Sequence, residues 1–335
     1  MRAMVLPAFG RAESRPLLLR DVPRPDPGER EVLVRVNCCG VCHTDLHTVE
    51  GDIVPPRLPI IPGHQVVGVV ERVGRGARVL SVGDRVGIAW LARTCGRCQY
   101  CLRGDENLCE NALFNGFDVD GGYAEYVLVH EDFAYRLPDG FADDQAAPLL
   151  CAGIIGYRSI RLAGAAPGER VGLYGFGASA HVAIQVLTHW GCEVHVFSRS
   201  ESHRALAREL GAVWTGRSED RPPAPLHCSI VFAPAGEIVP HALESLDRGG
   251  TVALAGIHMT PIPELDYETH LYNEKVLRSV TASTRRDGVE LLEIAGEIPI
   301  RTRTTVFPLT DANDVLIALK RGRIDGAAVL RVADE

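Results

Sequence analysis

The sequence predicts a two-domain α/β protein. A β-rich, barrel-like domain is built from both ends of the chain, and a doubly wound parallel-sheet domain is inserted between them. Three observations lead there. At 335 residues the chain is too long for one ordinary hydrophobic core. Its first third reads as short β-branched runs broken by Gly and Pro, whereas from Glu169 onward apolar runs alternate with helical stretches. Residues 282–335 then return to short mixed elements, so the first domain is discontinuous. The expected boundaries are 1–148 and 282–335 for the β-rich domain, and 149–281 for the inserted one.

Strands are predicted over 31–37, 66–73, 85–89 and 123–129, where Val and Ile recur between turn-forming clusters. The insert opens as strand 171–174, helix 178–190, strand 193–198 and helix 202–210, the βαβ pitch of a parallel sheet. It continues through strand 228–233, helix 239–246 and strand 251–256, and a final strand over 327–332 belongs to the β-rich domain. With 46% hydrophobic and 23% charged residues the composition is that of a globular protein. No apolar run reaches the ~20 residues of a membrane span. A net charge of −8 without a basic block argues against a nucleic-acid partner.

Cys95, Cys98, Cys101 and Cys109 crowd into fifteen residues, spaced to close a tetrahedron of thiolates around one Zn²⁺. Gly96, Arg97, Gln99, Arg103 and Gly104 between them suit a loop wrapped around a metal. Disulfides are the alternative. The opening Met1-Arg2-Ala3-Met4 carries no apolar signal segment, which implies a cytoplasmic, reducing setting and disfavours them. Four thiolates leave no open coordination position, so this site is expected to be structural.

Gly175-Phe176-Gly177-Ala178-Ser179-Ala180 joins predicted strand 171–174 to the helix that opens at Ala178. The glycines permit a tight turn and close approach of backbone to a pyrophosphate, which a helix N-terminus attracts. Ala180 stands at the third fingerprint position, where Ala is accepted. An acidic residue ending the second strand would grip the 2′-hydroxyl of NAD. Here Ser198-Arg199-Ser200 stands instead, and a hydroxyl with a guanidinium suits a 2′-phosphate, favouring NADP over NAD. The competing reading makes Arg199 an ordinary surface residue.

Cys42-His43-Thr44-Asp45-Leu46-His47, Gly63-His64-Gln65 and Cys151 supply further Cys and His residues that a fold could gather around a second zinc. Spacing alone does not show that they converge. Taken in order, however, these segments, the cysteine quartet and Gly175-x-Gly-x-x-Ala resemble a zinc-dependent alcohol dehydrogenase of the medium-chain dehydrogenase/reductase superfamily, and the resemblance covers essentially the whole chain.

That resemblance implies a GroES-like catalytic domain enclosing a Rossmann domain, with substrate and nicotinamide meeting between them. It implies two Zn²⁺ per chain, the catalytic one held by Cys42, His64 and Cys151, the two-thiolate, one-imidazole set known for alcohol dehydrogenases. Thr44 would hydrogen-bond the substrate oxygen, His47 would relay its proton to solvent, and Asp45 would orient His64. His43, Gly175, Gly177, Ala178, Ser198 and Arg199 would bind the cofactor. Trp90 and Ile53 would line the alcohol pocket, with Ile53 admitting something bulkier than ethanol. Two departures stand out: Gln65 replaces a Glu found in many relatives, and Ala327 falls where some have an Arg facing the pyrophosphate.

The implied reaction is reversible oxidation of a small-molecule, primary alcohol to an aldehyde, by a homodimer or homotetramer. A polyol, cinnamyl-alcohol or other sugar-alcohol dehydrogenase is the alternative within the same chemistry. A zinc protein that binds nucleotide without turnover is the alternative from another class. Cys38, Cys39, Cys192 and Cys228 are read as packing residues, and His181, His189, His195, His203 and His241 as surface residues.

Overall fold

A computed structural model describes residues 1–298, 300–324 and 326–333. The chain forms two compact units, one of Met1–Cys151, Ala282–Gly296 and Arg301–Glu335, the other of Ala152–Thr281 and Glu297–Ile300. The division after Cys151 falls three residues beyond the sequence expectation. Leu150 explains the difference, because its side chain covers Gly87 of the β-rich sheet so closely that a Cβ there would lie 2.6 Å from Leu150 Cδ2.

The first unit is organised by strand Glu31–Val41, longer than the predicted 31–37 and buried along most of its length. It pairs antiparallel with Gln65–Val73, Tyr126–His130 and Ala327–Arg331. Arg85–Ile88 and Ala134–Arg136 extend the sheet on one side, and Thr304–Pro308 on the other, parallel to Ala327–Arg331. Chain end and chain beginning therefore share one sheet, through rungs such as Leu330–Cys39. Val34, Val36, Val66, Val86, Ile88 and Leu330 meet in its core. One rung decides the chemistry. Gly40 pairs with Gln65, so Cys42 and His64, just beyond that rung, leave the sheet at the same end.

The second unit is a six-stranded, wholly parallel sheet. Its spatial order is Trp214–Gly216, Glu193–Phe197, Arg170–Tyr174, Leu226–Val231, Leu246–Leu254 and Val276–Ser279. Numbered along the chain, that is the 3-2-1-4-5-6 order of a Rossmann fold, whose switch point lies beside the first strand, Arg170–Tyr174. Helix Ala178–His189 follows that strand, and Ala180, Val182, Ala183, Ile184, Val186 and Leu187 give it an almost continuous buried face.

His195 corrects a sequence expectation. It is buried in mid-strand, in register with Gly172 and Trp214, and neither ring nitrogen is hydrogen-bonded among the described residues. A parallel strand covered on both faces buries even its polar positions, which is why a surface reading fails there. The four cysteines read as packing residues are all buried.

Candidate metal centres and cofactor-binding turn

The cysteine quartet occupies a hairpin whose base is closed by strands Leu91–Arg93 and Leu113–Phe114, paired Leu91 to Phe114 and Arg93 to Leu113. Gly96 (φ 68°) and Gly104 (φ 87°) take left-handed turns that a side chain would strain. Those turns fold the loop back so that all four Sγ atoms lie within 4.8 Å of one another. Cys98 and Cys101 are 3.5 Å apart, Cys95 and Cys101 4.0 Å. Zn–S bonds of about 2.3 Å give a tetrahedral edge of about 3.8 Å, so the spacing fits that ion. Backbone N–H groups already point at the sulfurs: Cys98 donates to Cys95 Sγ at 3.3 Å and Asn111 to Cys109 Sγ at 3.4 Å. The N–H groups of Arg97 and Cys98 bring the Cys95 thiol down to about 6, while burial pushes Cys109 up to about 11.

The second cluster gathers residues far apart in sequence. Cys42 precedes helix His43–Glu50, His64 precedes strand Gln65–Val73, and Cys151 follows the turn Ala147–Leu150. Cys42 Sγ lies 3.4 Å from His64 Nε2 and 4.0 Å from Cys151 Sγ. Tetrahedral zinc would set about 3.6 Å for the sulfur–nitrogen edge and about 3.8 Å for the sulfur–sulfur edge. The donor set therefore fits Zn²⁺ with three protein ligands, leaving one position for a substrate.

Asp45 holds this cluster together. Its Oδ2 accepts the Cys42 N–H at 2.8 Å, fixing the start of the helix. Its Oδ1 is 3.2 Å from His64 Nδ1, close but too far off-line for a good hydrogen bond. That contact turns Nε2 towards the thiols, as a ligand requires. Burial opposes a charge on His64, yet Asp45 and Cys42 outweigh it and raise the imidazole to about 10. The Cys42 thiol is raised by its contact with Cys151 and by burial. A coordinated cation reverses that balance and deprotonates the thiol outright.

The remaining predicted residues distribute unevenly. Thr44 is buried in the first turn of the helix, and its carbonyl accepts from Thr48 Oγ1 at 2.9 Å. His47, one turn on, holds Asp52 Oδ2 at 2.8 Å through Nδ1, a partner that sequence reasoning missed. His43 is exposed, its ring 6.4 Å from that of His47. Trp90 stands edge-on to His64 at 4.9 Å and stacks on Phe114 at 5.1 Å, with Phe117 at 5.8 Å. Ile53 is half-buried just after that helix, its N–H donating to His47 O at 3.3 Å. Phe114 and Phe117 follow the quartet closely in sequence, but nothing in the pattern signals that the hairpin returns them to Trp90.

In the second unit, Gly175 takes φ 87° and passes so near Ala233 that a Cβ would come within 2.8 Å of its nitrogen. Gly177 precedes helix Ala178–His189 and has nothing within 4 Å of a Cβ position, leaving room for a ligand against the helix N-terminus. Ser198 follows strand Glu193–Phe197, its Oγ accepting from the Ser200 N–H at 3.3 Å. Arg199 is exposed and makes no ion pair among the described residues, whereas Arg204 is held by Glu201.

Residues 28–139 match the alcohol dehydrogenase GroES-like domain family, and residues 180–296 match the zinc-binding dehydrogenase family. A probable alcohol dehydrogenase, AdhA, of Mycobacterium tuberculosis is 51% identical over 93% of this chain and 91% of its own. An alcohol dehydrogenase of Geobacillus stearothermophilus is 40% identical over 99% of this chain and all of its own. Among solved structures, a cinnamyl alcohol dehydrogenase of Sorghum bicolor superposes with a TM-score of 0.87 at 29% identity, covering 98% of this chain and 97% of the other. The chain belongs to the zinc-dependent alcohol dehydrogenases of the medium-chain dehydrogenase/reductase superfamily. No helix among the described residues is long and apolar enough to cross a membrane.

Proposed function

We propose that the protein interconverts primary alcohols and aldehydes with NADP(H), using one catalytic and one structural Zn²⁺ per chain. The observation that carries this reading is the cluster of Cys42, His64 and Cys151: three donors at zinc spacing beside Thr44 and His47. Zinc bound there would acidify an alcohol hydroxyl and polarise an aldehyde carbonyl. The Thr44 hydroxyl receives the substrate proton, and His47, oriented by Asp52, passes it to water. Asp45 keeps His64 in the tautomer that presents Nε2. Trp90 and Phe114 supply an aromatic wall next to His64, which favours substrates larger than ethanol. The exposed guanidinium of Arg199, in no ion pair among the described residues, and a Ser-Arg-Ser sequence without a carboxylate at 198–200 support NADP. The edge strand Val276–Ser279 supports self-association as a dimer or tetramer, since its outer side is unpaired among the described residues.

Steady-state kinetics with a panel of primary, secondary, aromatic and polyhydroxy alcohols, each with both cofactors, tests the proposal. NADPH should exceed NADH in kcat/KM by at least about tenfold, the yield of one charge-assisted contact, and benzylic or longer primary alcohols should exceed ethanol. Equal efficiency with the two cofactors refutes the 2′-phosphate reading, and a preference for polyols refutes the pocket reading.

The structural zinc has a separate consequence. Cys101→Ala should lower metal content by one ion per chain and free the fifteen-residue loop 95–109. Losing a closure of that length corresponds to about 3 kcal/mol, or a melting temperature lower by about 5–10 °C. Calorimetry beside metal analysis reads both, and an unchanged melting temperature with one ion lost would show that the loop needs no metal.

A further inference from the structure

Helix His43–Glu50, which carries Thr44 and His47, ends under a strap formed by residues 9–15. Phe9 packs on Gly51, where a Cβ would come within 3.1 Å of its ring, and the Gly10 N–H donates to Val49 O at 3.1 Å. The Ala12 N–H donates to Glu50 Oε1 at 2.8 Å. That same oxygen accepts from Lys320 Nζ at 2.7 Å, and Lys320 also reaches Glu13 Oε2 at 3.0 Å. Lys320 is the last residue of helix Ala312–Lys320. One ammonium therefore joins the strap, the helix of Thr44 and His47, and a helix 270 positions further along the chain. Beyond Glu13 the strap is fastened to that distant helix: Arg15 pairs with Asp314, and Leu17 exchanges two hydrogen bonds with Asn313, at 2.9 and 3.1 Å.

The part held still by this joint is the turn that carries Asp52. Gly51 is left-handed, at φ 81°, and the N–H groups of Gly51, Asp52 and Ile53 converge on His47 O. The turn thereby sets Asp52 Oδ2 at 2.8 Å from His47 Nδ1. The Asp52 side chain is 60% exposed, so this backbone turn, and not side-chain packing, determines where it stands. Glu50 meets two costs in supporting the turn. It is a carboxylate at a helix C-terminus, where the dipole disfavours negative charge, and its side chain is only 16% exposed. Lys320 offsets both. Without the ammonium, Glu50 gains by turning to water, which releases the Ala12 N–H and loosens the strap over the turn.

We propose that Lys320 is a positioning residue for the proton relay: by pairing with Glu50 it fixes the turn that holds Asp52 against His47. The inference rests on His47 passing the substrate proton to water, as in the proposed function. Lys320 touches neither His47 nor Asp52. Its effect is transmitted by the last turn of helix His43–Glu50, and proton transfer is the step that registers a small misalignment of the imidazole.

The test is Lys320→Met, which keeps the length of the side chain and removes its charge, read by oxidation of benzyl alcohol at saturating cofactor. Ion pairs this exposed add little stability, so the melting temperature should fall by no more than about 4 °C. Turnover and kcat/KM should fall together by about 3–10-fold, a part of the 10²–10⁴ that a positioned acid–base group supplies, with KM for the alcohol nearly unchanged. Rising concentrations of an amine buffer, at constant pH and ionic strength, should restore the lost rate, because an external base then takes the proton that a misaligned His47 does not. Lys320→Arg should recover most of the wild-type rate. In a His47→Gln background Lys320→Met should change nothing. Glu50→Gln, which keeps an acceptor for the Ala12 N–H but gives up the ion pair, should show the same buffer-restored loss and decides the matter if Lys320→Met does not fold. Wild-type rates in these variants, a loss that buffer does not restore, or a loss that persists with His47→Gln overturns the inference. A His47→Gln enzyme as active as wild type would instead refute the relay assigned to His47.

Discussion

With one catalytic and one structural Zn²⁺ per chain, as proposed, Cys42→Ala should remove the catalytic ion and lower turnover at least about 10³-fold, because Lewis-acid stabilisation is worth several kcal/mol and each 1.36 kcal/mol is tenfold in rate. Cys42 is the natural residue for this test because both other donors are measured against it, His64 Nε2 at 3.4 Å and Cys151 Sγ at 4.0 Å. The substitution removes the sulfur and little else. The contact that fixes the start of helix His43–Glu50 runs from the backbone N–H of Cys42 to Asp45 Oδ2, and Ala retains that N–H. Gly40 still pairs with Gln65, so the sheet that aims His64 is unchanged. Melting temperature and NADPH affinity should therefore stay near wild type while activity is lost. Elemental analysis should read one zinc, that of the quartet. Retention of two zincs, or turnover within tenfold of wild type, would falsify the three-donor site.

How readily each site could be read from sequence follows from how far apart its parts lie. The quartet is complete within one hairpin, and local turns at Gly96 and Gly104 are enough to close it, so spacing alone reveals it. The Gly175–Ala180 turn is equally local. The Cys42–His64–Cys151 cluster is not, since these positions, far apart in sequence, meet through tertiary structure such as the Gly40–Gln65 rung and the packing of Leu150 on Gly87. Only resemblance joined them in advance. Helix His43–Glu50 was not evident because polar Thr44, Asp45 and Thr48 share its buried face with Leu46 and Val49, so hydrophobic periodicity is weak. Helices Arg285–Glu297 and Ala312–Lys320 likewise lay within a stretch read only as short mixed elements. Partners such as Asp52 for His47, Phe114 for Trp90 and Lys320 for Glu50 are products of tertiary packing, which no local pattern encodes.

Ser198→Asp should reverse the cofactor preference, lowering kcat/KM for NADPH by about 10²-fold and leaving NADH equal or improved. A carboxylate at the end of strand Glu193–Phe197 repels a 2′-phosphate and can accept hydrogen bonds from the 2′- and 3′-hydroxyls of NAD. Charge-assisted hydrogen bonds are worth roughly 1.5–3 kcal/mol, and two to three factors of ten follow when attraction becomes repulsion. The turn should tolerate the change. Ser198 Oγ is an acceptor for the Ser200 N–H at 3.3 Å, a role that a carboxylate oxygen fills as well, and Ser200 still caps helix Glu201–Glu209 through the His203 N–H. Arg199→Ala supplies the complementary arm, because it removes attraction without adding repulsion. It should weaken NADPH by about tenfold and leave NADH unaffected, the loss of one contact to a charged group. If Ser198→Asp lowers both cofactors equally, the damage lies in the turn, and the 2′ position of the cofactor is read elsewhere. If it lowers neither, Ser198 and Arg199 lie outside the binding site, and Gly175–Ala180 alone would carry recognition, through a pyrophosphate that both cofactors share.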